Sequence, residues 1–99
     1  MVFNINTATV AGSAAAETGI SAEVGAAAAG ASAPLLMVMP MGADLDSITF
    51  AAALNAAGAA YIASAGEHAA SRGMFAGAQG LSAATSAVTE VIRDAELSI

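Results

Sequence analysis

Alanine sets the strongest limit on what this chain can build: 30 of its 99 residues are alanine, and only Phe3, Phe50, Tyr61 and Phe75 are aromatic. The hydrophobic fraction of 58% is therefore largely methyl groups. Burying one methyl or methylene contributes about 0.8 kcal/mol, whereas ordering one residue costs roughly 1.5 kcal/mol. An alanine core of this size gathers too little burial to sustain itself, so a second surface is expected to supply the remainder. The same alanines point to helix, because alanine has the highest helix propensity.

Proline, glycine and polar residues divide the chain. No proline interrupts residues 7–33, and Ile20, Val24, Ala27, Ala31 and Leu35 recur at helical steps, so the first helix is expected over about residues 7–36, capped by Thr7 or Thr9. Pro40 cannot donate an N–H and disfavours helix in the residue before it, which places a loop at about 37–46. Asp44, Asp46 or Ser47 can cap a second helix over about 47–78. That helix carries a heptad row of Phe50, Leu54, Ala57, Tyr61, Ser64, His68, Ser71 and Phe75. Beside it runs a flatter row of Ile48, Ala51, Asn55, Ala59, Ile62, Ala65, Ala69, Arg72 and Ala76. Two usable faces imply two neighbours, one within the chain and one outside it. Gly73 and Gly77 form a small-xxx-small pair suited to close helix packing, and Gly77 and Gly80 predict a bend or break before a further helical segment at about 81–95.

The expected fold is all-α: a single domain over residues 1–99, in which two arms of about 30 residues, each roughly 45 Å long, form an antiparallel hairpin that completes a four-helix bundle with a partner. The partner face is assigned to Phe50, Leu54, Tyr61, Ile62, His68 and Phe75, with Leu35 and Leu36 near the loop end.

Charge narrows the functions. The net charge is −6, with eight carboxylates, two arginines and no lysine, which argues against gripping nucleic acid or an anionic membrane surface. No cysteine is present, and the single histidine, His68, lacks the co-ligands a zinc site needs. The pairs Asp44/Asp46 and Asp94/Glu96 suit capping and solvation, and no Gly-x-Ser-x-Gly elbow surrounds a serine. No enzyme activity, metal or cofactor is expected. Residues 24–43 and 47–66 are uncharged and long enough to span a bilayer, but Leu, Ile, Phe and Val are sparse in them, which weighs against insertion. The opening residues lack the basic and continuous apolar regions of a cleavable signal peptide.

The segment Val38-Met39-Pro40-Met41-Gly42-Ala43-Asp44-Leu45-Asp46-Ser47 resembles the loop of mycobacterial PE-family proteins, where Val-x-Pro-Pro-Gly-Ala-Asp-x-x-Ser joins two antiparallel helices. The opening Met1-Val2-Phe3-Asn4-Ile5 and the Ala33-Pro34 pair are also similar to the family's, and the resemblance covers nearly the whole chain, as in a short member holding the PE domain alone. The Pro-Glu pair that names the family is absent where it should fall, at Ala8-Thr9. The family's Tyr-x-x-x-Asp/Glu secretion signal falls on Ser86 to Glu90, which keeps the acid and lacks the tyrosine. The resemblance implies a one-to-one heterodimer with a PPE protein, synthesis in the cytoplasm, an EspG-type chaperone acting through the PPE subunit, and export by type VII (ESX) secretion. The competing expectation is a homodimeric four-helix bundle with a structural role, followed by a membrane hairpin.

Overall fold

A computed structural model of the chain describes residues 4–99; Met1, Val2 and Phe3, which begin the family-like opening, lie outside the described residues. Among those described there are two helices and no strand: α1, Thr7–Leu36, and α2, Leu45–Leu97. The chain is an all-α helical hairpin. It divides into two compact units, one holding the described residues up to Ser21 together with Ser71–Ile99, the other holding Ala22–Ala70.

The helix ends have identifiable causes. At the start of α1, the Asn6 side chain accepts a hydrogen bond from the Thr9 N–H at 3.1 Å, so Asn6 is the cap in place of the expected Thr7 or Thr9. Asparagine is among the strongest caps, and its short amide reaches an otherwise unpaired first-turn donor. α1 closes at Leu36, where the Met37 N–H still reaches the Ala33 carbonyl at 3.0 Å. α2 is opened by Asp44, whose carboxylate accepts from the Ser47 N–H at 3.0 Å and from the Ser47 hydroxyl at 2.8 Å. Of the three cap candidates, Asp44 takes the role, and Asp46 lies in the first turn, where a carboxylate complements the helix dipole.

The expected break near Gly77–Gly80 does not occur. α2 runs unbroken to Leu97, so the segment expected separately at 81–95 is its last part. A helical glycine costs at most about 1 kcal/mol, whereas interrupting a helix forfeits several hydrogen bonds and requires a second nucleation.

In the unit of residues 22–70, α1 and α2 run antiparallel and meet on small residues. Ala51 is 5% exposed and Gly58 is buried, with Asn55, Ile62, Ala65 and Ala69 half-buried at heptad spacing. Opposite them, Val24, Ala28, Ala31 and Leu35 of α1 are half-buried. Gly58 packs against the Leu35 backbone: a Cβ built there would overlap the Leu35 carbonyl oxygen and stand 2.8 Å from its carbonyl carbon. In the other unit Ala76 and Ala83 are buried, at 5% and 6% exposure, and Thr7, Val10, Ala14, Glu17 and Ser21 are half-buried. There Arg72 pairs with Glu17 at 3.0 Å, and the Gln79 amide donates to the Ser13 hydroxyl at 3.1 Å.

Two expectations about packing are corrected. In the unit of residues 22–70 the inward row of α1 is Val24, Ala28, Ala31 and Leu35, with Ala27 exposed, and in the other unit Ser21 is half-buried whereas Ile20 is exposed, because a four-three-four-four spacing drifts off a face that strict heptads hold. Close backbone approach occurs at Gly58, not at the Gly73/Gly77 pair: a Cβ at Gly73 would make only ordinary contact with Ser21 at 3.5 Å, and one at Gly77 would meet nothing within 4 Å.

These environments give opposite expectations for two glycines of α2. Gly58→Ala should cost about 1–3 kcal/mol through overlap with Leu35, seen as a loss of amide-exchange protection around residues 55–62. Gly66→Ala, with open space around its Cβ, should gain up to about 1 kcal/mol. Equal effects of the two substitutions would contradict the packing described.

Candidate partner-binding face

The outward face of α2 in the unit of residues 22–70 carries the side chains that the inward row excludes. Phe50 is 61% exposed, Leu54 40% and Tyr61 62%; Ala57, Ser64 and His68, on the same heptad row, are also exposed. Shallow grooves run beside this row. One of about 330 Å³ is lined by Pro34, Leu35, Val38, Leu54, Ala57, Gly58 and Tyr61, and another of about 260 Å³ by Val24, Tyr61, Ser64, Ala65 and His68. Both have α1 residues on one wall and α2 residues on the other, the shape a partner helix would fill by packing between two existing ones.

The remaining residues assigned to the partner face are placed as follows. Leu36 is exposed beside the loop. Leu35 and Ile62 are half-buried and fall in register with the inward rows of α1 and α2, so they support the hairpin contact more than they extend the outward face. Phe75, in the unit that includes Ser71–Ile99, is 53% exposed. In that same unit Ser86 and Glu90 line a small cleft of about 100 Å³ with Ile5, Thr85, Thr89 and Arg93, and the Glu90 carboxylate pairs with Arg93 at 3.0 Å.

At the loop end, Asn55 of α2 clamps the turn. Its side-chain oxygen accepts from the Val38 N–H at 2.8 Å, and its amide donates to the Val38 carbonyl at 3.2 Å. Both backbone polar groups of Val38 are thereby satisfied by one side chain. Together with the Asp44 cap, this holds residues 38–47 around an apolar cleft of about 320 Å³ lined by Val38, Met39, Pro40, Met41, Phe50, Ala51 and Leu54, with Asp46 and Ser47 as its polar members. Hydrogen bonds from the Ser47 backbone and hydroxyl hold the Asp44 carboxyl below its ordinary 3.8.

Periodicity places Asn55 on the flatter row without its role, and it passes over buried Gly58 in favour of Ala59, which is exposed, as is Ile48 at the head of that row. The available signal was chemical: an amide and a glycine standing on an otherwise alanine-rich face mark a polar satisfaction and a close approach. α2 also contains an 18-residue window long and apolar enough, by length and composition only, to cross a membrane. Among the described residues, no three potential metal ligands converge.

No family model, curated protein or solved structure matches this chain.

Asn55→Ala leaves both Val38 groups without their partners, and is expected to cost about 1–3 kcal/mol and to raise the exchange rate of the Val38 amide; unchanged exchange would contradict the clamp. Because Asp44 titrates lower in the folded chain than in the unfolded one, its cap contributes stability above pH 3.8 and loses it as the pH falls through the folded value. A carboxyl chemical-shift titration should place Asp44 below 3.8, and Ser47→Ala should move it back towards that value.

Proposed function

We propose that this chain is a PE-type helical hairpin that pairs one-to-one with a PPE-type protein, forms a four-helix bundle with it, and catalyses no reaction. The observation that carries this reading is the division of α2 into an inward row of alanine and glycine and an outward row bearing Phe50, Leu54 and Tyr61. A hydrophobic row of this kind exposed on a helical hairpin suits an interaction surface, and its heptad spacing suits a helical partner. The loop motif at residues 38–47 and the alanine-rich helices support the choice of a PPE protein as that partner.

Export with the partner by type VII secretion, without a cleavable signal peptide, is part of the same proposal. It rests on the family resemblance and on Glu90, which occupies the acidic position of the secretion signal while Ser86 stands where the tyrosine would be. An EspG-type chaperone would act through the PPE subunit before export.

Co-expression with a PPE protein is expected to give a soluble complex whose mass by light scattering is that of one copy of each chain. Tyr61→Asp should abolish the complex while leaving the helix content of the isolated chain unchanged, because Tyr61 is exposed there. A discrete homodimer that ignores the PPE protein, or a chain that stays in the membrane fraction until detergent is added, would overturn the proposal in favour of one of its competitors.

A further inference from the structure

The loop-end cleft has a chemistry that the outward row of α2 alone does not. Its walls are almost wholly apolar, yet they are open to solvent: Met41 is 95% exposed, and Met39 and Phe50 are exposed as well. Thioether and aromatic groups at an open cleft make an adaptable apolar receptor, because methionine has three rotatable bonds and a polarizable sulfur. The receptor is held in place by the Asn55 clamp and the Asp44 cap. Ser47, one of the two polar lining residues, already spends its N–H and hydroxyl on Asp44. The exposed carboxylate of Asp46 is the charged group at the rim.

Neither arginine ion pair involves Asp46, so a charge complementary to it at the cleft would be a partner's. The chain has two arginines and no lysine. Arg72 is engaged with Glu17 and Arg93 with Glu90, each at 3.0 Å. A second copy of this chain would bring the same engaged arginines and a net charge of −6 against −6, which disfavours it electrostatically. We infer that the loop-end cleft receives an amphipathic helix of a different protein, one that places a large apolar side chain between Met39, Met41, Phe50 and Leu54 and a lysine or arginine one helical turn away, beside Asp46. Helices laid into apolar grooves use anchors at this spacing, and a rim charge of this kind sets orientation and partner choice more than affinity. The inference deepens the partner-binding reading and rests on it, adding which end of the hairpin recognises charge and with what sign.

The test uses the full chain and two synthetic amphipathic peptides of 18 residues, identical in their leucine stripe, one flanked by lysines and one by glutamates. Binding is followed by fluorescence anisotropy, with amide chemical shifts to locate it. The lysine peptide should bind, shift residues 38–54, and weaken about fivefold on Asp46→Asn and about tenfold on Phe50→Ala. Asp94→Asn removes the same unit of charge far along the sequence and should have no such effect. The inference is overturned if the two peptides bind alike, if neither binds, or if Asp46→Asn and Asp94→Asn act equally, which would reduce the effect to net charge. A PPE complex that forms normally with Asp46→Lys would also overturn it while leaving the partner reading intact. Absence of any PPE complex, with the peptide result as expected, would sink that reading and keep the cleft.

Discussion

Within the unit of residues 22–70, α1 and α2 approach closely enough for Gly58 to lie against the Leu35 backbone, with Ala51 sealed beside it. Small residues make such an approach feasible, and it leaves little room between the helices: Leu35 and Ile62 are only half-buried there, and Phe50, Leu54 and Tyr61 stand exposed. These last three stand outside the contact that joins the helices. Among the described residues the buried hydrophobic side chains are Ala51, Ala76 and Ala83. Fully burying a Leu or Phe contributes about 1.5–3 kcal/mol, a stabilisation that exposed Phe50, Leu54 and Tyr61 do not supply within the hairpin.

The polar contacts do not change that balance; they set geometry. The Arg72–Glu17 pair is partly exposed and contributes no more than about 1 kcal/mol. It nevertheless fixes which residue of α1 faces which residue of α2, as does the Ser13–Gln79 bond in the same unit. In the other unit, Asn55 and Asp44 shape the loop, so the apolar cleft at the turn is formed in advance of any partner. Pre-forming a site lowers the ordering cost that binding would otherwise carry.

The helical hairpin could be read from the sequence because its determinants are local. Alanine propensity, Pro40 and the acidic residues before Ile48 fix where helices run and stop, and the division of α2 into an alanine row and a row with Phe50 and Tyr61 follows from heptad spacing. What could not be read depended on competition between local preference and context. Gly77 and Gly80 weaken a helix only slightly, and the surrounding turns carry α2 through them. Asn6, a stronger capping residue type than threonine, takes the N-cap one residue before Thr7. Ile62 illustrates the limit of assigning a face by hydrophobicity: a large side chain sits half-buried on the inward row, while Phe50 and Tyr61 lie outside. The loop-end cleft was invisible to periodicity, because it is made by residues of the turn together with residues of α2, and Asn55 joins the two through Val38.

Differential scanning calorimetry of the isolated full chain at micromolar concentration, with sedimentation velocity on the same sample to fix its mass, addresses the central claim most directly. If the large apolar side chains wait for another protein, the monomer should show a broad, low-enthalpy transition well below the roughly 60–80 kcal/mol of a cooperative domain of this size. A sharp transition of full enthalpy from a chain that sediments as a monomer would contradict it.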